Sequence, residues 1–370
     1  MTQEAHLVLA DGTRFRGISF GARGAATGEA VFTTGMTGYE EVLTDPSYCG
    51  QIVTMTAPQI GNTGMTIEDG EARRPALRGF VVHELSAIES NWRTEESLDS
   101  YLESRGVVGI TGVDTRTLTR HIRDAGAQMA AVGTEDPATL HDRAIAAPPM
   151  TGQDLTDKVT TPETYRWTEG GGTWSHRRAD ARPWHVVAMD FGIKHNILRC
   201  LVDEGCKVTV VPAATSAEEV LALDPDGIFL SNGPGDPAAV SGGIATVGEL
   251  FGQRPMFGIC LGHQLMSLAL GGTSYKLKFG HRGLNQPVKD LKTGRIEITT
   301  QNHGFCVDVD SLKNKCEVTH LHLNDGTCEG IEHLETGAFS VQYHPEAAAG
   351  PHDSRYLFRR FTDAIARARS

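Results

Sequence analysis

The stretch Pro255-Met-Phe-Gly-Ile-Cys-Leu-Gly-His-Gln264 is the most informative part of the C-terminal half of this 370-residue chain. A short apolar strand runs into the sharp turn Gly258-x-Cys260-x-Gly262, and the apolar run Gln264–Leu270 continues as a helix. Such a strand–turn–helix is a nucleophile elbow with cysteine at its tip, and its glycines permit the close backbone approach of the turn. The helix N-terminus stabilises a thiolate. We therefore predict a nucleophilic cysteine, against the alternative of a buried structural thiol.

The residues before the elbow alternate between strand and helix patterns. Buried strands are predicted at His185–Met189, Lys207–Val211 and Gly227–Leu230. A helical apolar stripe ends at Gly205, and Ser216-Ala-Glu-Glu219 is a capping box that opens another helix. This alternation predicts an open, flavodoxin-like parallel sheet with helices on both faces. Catalytic groups of such sheets gather at the carboxyl ends of the strands.

A base for the thiol is predicted near the C-terminus. The strand pattern Phe339–Tyr343 leads into His344-Pro-Glu346. Residues two apart on an extended segment point to the same side, so the imidazole and the carboxylate can meet. Pro345 cannot donate to a sheet ladder, and it leaves both groups at the carboxyl end of the strand. We therefore predict a triad of nucleophile, base and orienting carboxylate.

A third motif, Leu230-Ser-Asn-Gly-Pro-Gly-Asp-Pro237, also follows a predicted strand directly. Its glycine-rich loop can present a backbone N–H to a developing oxyanion together with the N–H of Leu261, although an ordinary turn is the alternative. The loop lacks the Lys-Ser/Thr ending of a phosphate-binding P-loop. The chain has no other such site, so any ATP chemistry is expected to belong to a partner.

The first half of the chain follows a different pattern. A hairpin is predicted around Asp11-Gly12, and a helix is expected to begin after Asp114 and to end before Gly126. Strands and helices mix there without regular alternation. The following stretch is rich in proline and glycine, which is typical of a linker. We predict a mixed α/β domain over residues 1–150, a linker over 151–183 and a second domain over 184–370.

Composition excludes several classes of function. The net charge of −12 argues against a nucleic-acid partner. No apolar run approaches the length of a membrane span, and the N-terminus lacks the features of a signal peptide. Seven cysteines without a C-x-x-C pair argue against a disulfide framework or a structural zinc site. We expect a soluble cytoplasmic protein without a metal.

The three motifs together resemble those of the class I, triad-type glutamine amidotransferases. The first half resembles the N-terminal domain of carbamoyl-phosphate synthase small subunits. Its matching runs include Met36-Thr-Gly-Tyr-Glu-Glu-Val-Leu-Thr-Asp-Pro-Ser-Tyr48, Pro58-Gln-Ile-Gly-Asn62, Ser90-Asn-Trp-Arg93 and Asp114-Thr-Arg116. Asp190-Phe-Gly192 matches as well, so the resemblance covers essentially the whole chain.

The resemblance implies roles for individual residues. Cys260 attacks the glutamine amide, His344 serves as base and then acid, and Glu346 orients the imidazole. The glutamine site is implied to contain Ser47, Gly233, Gly235, Leu261, Gln264, Asn302, Gly304 and Phe305. Composition alone would assign the stretch Gln301–Phe305, which contributes three of these residues, to a loop.

The resemblance also implies a partner. Ammonia released here would pass through a tunnel to a large subunit, which makes carbamoyl phosphate from bicarbonate, ammonia and two ATP for arginine and pyrimidine synthesis. The two chains would form a heterodimer or an oligomer of heterodimers, with ATP and Mg²⁺ held by the large subunit and no cofactor on this chain. A stand-alone γ-glutamyl cysteine hydrolase and a catalytically silent scaffold subunit are the alternatives.

Overall fold

The computed structural model describes residues 3–175 and 182–370. The chain divides into two compact units. The first unit comprises Met1–Gln153 with Lys278–Gly283, and the second comprises Asp154–Leu277 with Leu284–Ser370. No helix among the described residues is both long and apolar enough to cross a membrane.

The first unit is built on a closed barrel of seven strands. Its strands and helices, in chain order, are β1 (Glu4–Leu9), β2 (Arg14–Gly21), β3 (Ala25–Thr33), α1 (Tyr39–Thr44), β4 (Gln51–Met55), β5 (Gln59–Ile60), β6 (Gly79–Val81), β7 (Glu84–Leu85), α2 (Leu98–Ser104), β8 (Val108–Thr111), α3 (Thr115–Ala125), β9 (Gln128–Gly133) and α4 (Pro137–Ala146). The barrel order is β1-β2-β8-β6-β4-β3-β9, while β5 and β7 form a separate pair.

Local signals in the first unit work as predicted. The hairpin of β1 and β2 is confirmed, with Leu7 opposite Phe15. The Asp114 carboxylate caps α3 by accepting the N–H of Thr117 at 2.9 Å, and the helix ends before Gly126, which has a φ of 105°. These signals are local, so sequence alone could locate them. The barrel closure depends on pairings between distant strands, and no local pattern predicted it.

The second unit is built on one ten-stranded sheet. Its strands and helices are β10 (Tyr165–Trp167), β11 (His185–Asp190), α5 (His195–Asp203), β12 (Lys207–Pro212), α6 (Ala217–Ala222), β13 (Gly227–Leu230), α7 (Ser241–Leu250), β14 (Met256–Ile259), α8 (Leu261–Ala269), β15 (Thr273–Asp290), β16 (Ile296–Asp308), β17 (Cys316–His322), β18 (Cys328–His333), β19 (Phe339–Val341) and α9 (Tyr356–Ala368). The sheet order is β10-β12-β11-β13-β14-β19-β18-β17-β15-β16. The middle of β15, residues 278–283, is counted with the first unit.

The predicted parallel sheet forms the centre of this larger mixed sheet. Strands β12, β11, β13, β14 and β19 pair in parallel, and β10, β18 and β17 add antiparallel pairs on the two sides. Alternate residues of β11 face opposite cores. Val186 and Ala188 pack with α5 and α9, whereas Val187 and Met189 pack with α6, α7 and α8. Helices therefore cover both faces, as the fold prediction requires.

Part of the stretch predicted as a linker over 151–183 has ordered neighbours in the second unit. Asp154 forms an antiparallel bridge with Gly235, and β10 pairs with β12 at the edge of the sheet. The Thr161 N–H donates to the Asp190 carboxylate at 2.7 Å. Residues 176–181 of the predicted linker lie outside the described residues.

Candidate active site

The elbow between β14 and α8 has the backbone geometry of a strained turn. Cys260 has φ 52° and ψ −104°, a combination that is unfavourable for a residue with a side chain. Its N–H donates to the Val341 carbonyl of the neighbouring strand β19 at 2.9 Å. A Cβ on Gly262 would lie 2.4 Å from the Leu230 carbonyl oxygen, and one on Gly258 would lie 2.9 Å from the Gly262 oxygen. Both glycines are therefore required for this turn.

The sulfur of Cys260 is buried beside β16. The side chain is 2% exposed, and its S–H donates to the Asn302 carbonyl oxygen, with 3.7 Å between sulfur and oxygen. The strand β14 ends at the same edge of the sheet as β19, because Ile259 pairs with Val341 in a parallel register. Residues that follow β19 therefore lie at the same edge of the sheet as Cys260.

The predicted base and its orienting carboxylate are in contact. The Nδ1 of His344 lies 2.7 Å from Oε1 of Glu346, and both side chains are fully buried. The His344 N–H also donates to the Thr300 carbonyl of β16 at 2.9 Å. We assign the ring proton to Nδ1, because a carboxylate only accepts. The buried Nε2 has no hydrogen-bond partner among residues 3–175 and 182–370, and it is left as the proton acceptor.

A lysine that the sequence analysis did not single out completes this cluster. The Nζ of Lys194, a buried residue, lies 2.7 Å from Oε1 of Glu346. Burial alone raises the pKa of Glu346, but the Lys194 ammonium and the His344 imidazole together lower it to about 2. The carboxylate therefore stays charged at neutral pH and can stabilise an imidazolium.

The turn after β11 positions this lysine. The Asp190 carboxylate accepts the N–H groups of Gly192 and Ile193 at 2.9 and 2.7 Å. The Asn232 side chain then accepts the Lys194 N–H at 3.1 Å. A lysine placed directly after a buried strand was the available signal, since such strands end at the catalytic edge.

The residues predicted to bind glutamine on β16 and α8 come together. Gln264 is buried on the first turns of α8, and its Nε2 donates to the Phe305 carbonyl and to Oε1 of Gln342, both at 2.9 Å. Asn302 and Phe305 belong to the same strand, with Gly304 between them. The stretch Gln301–Phe305 is therefore strand, where composition alone indicated a loop.

The glycine loop after β13 lies against the start of α8. A Cβ on Gly233 would lie 2.3 Å from the Phe191 carbonyl oxygen and 2.7 Å from a side-chain carbon of Leu261. Gly235 has a φ of 92°, which side chains rarely adopt. The loop therefore runs beside the residue that follows the nucleophile, where an oxyanion donor would stand.

Ser47 belongs to the first unit. It lies in the short 3-10 helix Pro46–Tyr48, is buried, and its N–H donates to the Asp45 carboxylate at 2.9 Å. Its assignment to the glutamine site stays a prediction.

Two family models match this chain, one in each half. A family model described as glutamine amidotransferase class-I matches residues 187–364, so the second unit carries a domain of that class. A second model, described as carbamoyl-phosphate synthase small chain, CPSase domain, matches residues 7–132.

Relatives of similar length extend the match to the whole chain. The chain is 56% identical over 371 residues to the carbamoyl phosphate synthase small chain of Syntrophotalea carbinolica, covering 99% of each chain. It is 57% identical to that of Thermosynechococcus vestitus and 53% identical to that of Rhodopirellula baltica, in both cases over 98% of this chain and 96% of the relative. The chain belongs to the carbamoyl phosphate synthase small chain family.

Proposed function

We propose that this chain hydrolyses L-glutamine to glutamate and ammonia and passes the ammonia to a large carbamoyl-phosphate synthase subunit. The observation that carries the proposal is the buried His344–Glu346 pair, 2.7 Å apart, at the strand end beside the Cys260 elbow. Membership in the small chain family supports the same function. The carboxyl group completes the cluster by holding the imidazole with Nε2 available.

The reaction begins when His344 takes the thiol proton and the Cys260 sulfur adds to the side-chain amide carbon of glutamine. Backbone N–H groups near Gly233 and Leu261 stabilise the oxyanion of the tetrahedral intermediate. His344 then gives its proton to the amide nitrogen, which leaves as ammonia, and a γ-glutamyl thioester remains on the sulfur. His344 next removes a proton from water, the hydroxide oxygen attacks the thioester carbon, and glutamate departs as the thiol is restored.

Ammonia has to stay unprotonated if it is to act as a nucleophile. Bulk water at neutral pH converts most of it into ammonium, so direct transfer to a partner avoids this loss. The partner of this proposal is a large subunit that consumes bicarbonate and two ATP, in a heterodimer or an oligomer of heterodimers. ATP and Mg²⁺ are assigned to that subunit and no cofactor to this chain, in the cytoplasm, with products for arginine and pyrimidine synthesis.

The test is Cys260→Ser in the complex of small and large chains. A serine hydroxyl at this position lacks the acidity of a thiol, so glutamine-dependent carbamoyl-phosphate formation is expected to disappear. Synthesis from added ammonium chloride is expected to continue at the wild-type rate, because that reaction bypasses this chain. Loss of the ammonia-dependent rate would contradict the proposed division of labour.

The two alternatives give different results in the same assays. A stand-alone hydrolase would cleave γ-glutamyl peptides without the large chain. A silent scaffold would show no glutaminase activity with or without it.

A further inference from the structure

The segment over residues 343–356, which carries His344, is hydrogen-bonded to β16 at several points. The N–H of His344 donates to the Thr300 carbonyl at 2.9 Å, and the Thr300 hydroxyl donates to the Ala349 carbonyl at 3.5 Å. Farther along, the N–H of Ile298 donates to the Asp353 carboxylate at 3.0 Å. The carbonyl oxygen that accepts the hydrogen bond from the Cys260 thiol also belongs to β16. This strand therefore contacts both the segment of the base and the nucleophile.

A buried carboxyl group stands at the start of the same strand. Glu297 is 1% exposed, and its Oε2 accepts a hydrogen bond from the Ser354 hydroxyl at 2.7 Å. The hydroxyl of Tyr343, the residue directly before His344, lies 3.5 Å from the same oxygen, at the long limit of a hydrogen bond. The Tyr356 side chain lies near this carboxyl group as well. The Glu297 carboxyl group thus contacts hydroxyl groups on both sides of His344, those of Tyr343 and Ser354.

Burial of the Glu297 carboxyl group is unfavourable for folding, which suggests that the group has a role in positioning its neighbours. Burial raises the pKa of Glu297, and the Ser354 and Tyr356 hydroxyls offset only part of that effect. An apolar side chain of the same size would avoid this desolvation. The fully buried Tyr343 ring packs edge to face on His320, with 5.7 Å between ring centroids, so the ring has little freedom to shift.

We propose that Glu297 is a positioning residue for glutamine hydrolysis: through Tyr343 and Ser354 it holds the backbone of His344 at the distance from Cys260 that proton transfer requires. This inference rests on the proposed function. Proton transfer is sensitive to displacements of less than an ångström. If His344 were held only by Glu346, the imidazole and the carboxylate could still shift together relative to Cys260. The link from Glu297 to the residue before His344 prevents that shift.

The test compares Glu297→Met with Glu297→Gln in the small–large complex, at rates normalised to titrated active sites. Methionine has about the same volume as glutamate but lacks the oxygen that accepts hydrogen bonds from the hydroxyls. The kcat for glutamine is therefore expected to fall about tenfold, with KM within about twofold of the wild-type value. Glutamine keeps an acceptor oxygen and is expected to restore kcat to within about threefold of wild type. Tyr343→Phe removes one donor, and a fall of about threefold is expected.

A second measurement reports the pairing of thiol and imidazole directly. The rate at which iodoacetamide alkylates Cys260 is followed against pH, with Cys260→Ser as the blank. A displaced imidazole no longer favours the thiolate, so the midpoint of this profile is expected to move upward in Glu297→Met and to stay in place in Glu297→Gln. A purely stabilising role would lower the melting temperature and leave this midpoint unchanged.

Asp226→Leu is the matched control. Its partly buried carboxylate accepts the His185 N–H at 2.8 Å at the opposite, amino-terminal end of the strands, so it should lower stability without changing the alkylation profile. Wild-type kcat and profile in Glu297→Met would overturn the proposal, as would equal effects in Asp226→Leu. If Glu297→Met does not fold, kcat and the alkylation profile of Tyr343→Phe test the proposal instead, and wild-type values of both would overturn it. Absence of glutaminase activity in the wild-type complex would instead refute the proposed function, while the alkylation profile would still test Glu297.

Discussion

Glu346 is a charged side chain to which water has no access. Its Oε1 lies 2.7 Å from both the Lys194 ammonium and the His344 ring, and these two groups outweigh the effect of burial on its pKa. The lysine therefore keeps the carboxylate charged, and the charged carboxylate holds the imidazole in the orientation that the proposed function requires.

Lys194→Met tests this coupling. At neutral pH the variant is expected to lose about 3 kcal/mol of unfolding free energy, because a buried carboxylate loses its main partner. The pKa of Glu346 is about 2 in the folded chain against 4.5 for an unperturbed glutamate, so its stabilisation is complete above pH 4.5 and disappears as the pH falls toward 2. Without the ammonium that pKa rises, and the midpoint of acid unfolding should move to higher pH.

The measurement is unfolding by urea at a series of pH values. Lys313→Met is the control, since that lysine pairs with Asp310 on the exposed surface at 3.1 Å. Surface pairs of this kind contribute little, so its curve should overlay that of the wild type. An unchanged acid midpoint in Lys194→Met would contradict the role assigned to the lysine.

At the scale of elements, close contact between α8 and β13 makes the elbow possible. The Gly262 N–H donates to the Ser231 carbonyl at 3.0 Å, which leaves no space for a side chain at that position. The first turn of α8 thereby approaches the strand closely enough to place Cys260 at the sheet edge. The glycine on each side of the cysteine is thus required by packing as well as by the turn.

Gly262→Ala is expected to destabilise the chain by about 3 kcal/mol and to abolish glutaminase activity, because the new methyl group overlaps the Leu230 carbonyl. Gly248→Ala in α7 is the matched helical control, since its Cβ would meet nothing closer than the Ala269 Cβ at 4.0 Å. That change should raise stability by about 0.5–1 kcal/mol. Thermal unfolding and glutaminase assays of both variants check the pair, and equal stabilities would contradict the contact.

At the scale of the whole chain, Cys260 differs from four other thiols by its position at a helix N-terminus, which favours the thiolate. Burial raises the pKa of Cys206 and of Cys328 to about 12 and that of Cys316 to about 11, and it raises that of Cys306 still further. At pH 8 roughly one molecule in a thousand or fewer carries a thiolate at these positions, and thiolate is the reactive form.

Brief treatment with iodoacetamide at pH 8 should therefore modify Cys260 while these four thiols stay unmodified. Peptide mass spectrometry before and after denaturation provides the measurement, because all seven thiols should react in urea. Modification of Cys306 or Cys328 in the folded chain at the rate of Cys260 would contradict the raised pKa values of these two thiols.

Elements with local signals could be located from the sequence alone. The Asp114 cap, the Ser216–Glu219 capping box and the β1–β2 hairpin were predicted and are confirmed, because each depends on residues within a few positions of one another. The parallel strands were equally visible as short apolar runs. The elbow and His344-Pro-Glu346 carried enough chemistry to indicate a triad, whose catalytic roles remain predictions.

Other features depend on contacts between distant residues and became visible only in the folded chain. The barrel of the first unit, the antiparallel extension of the sheet and the strand character of Gln301–Phe305 arise from pairings across many residues. Lys194 and Glu297 looked like ordinary charged residues, since no local pattern marks a charge that becomes buried beside the site. The amino-acid sequence was sufficient to predict the reactive groups and the succession of strands and helices along the second half of the chain. The buried charges that surround those groups became visible only in the folded chain, because burial and distance are properties of the fold.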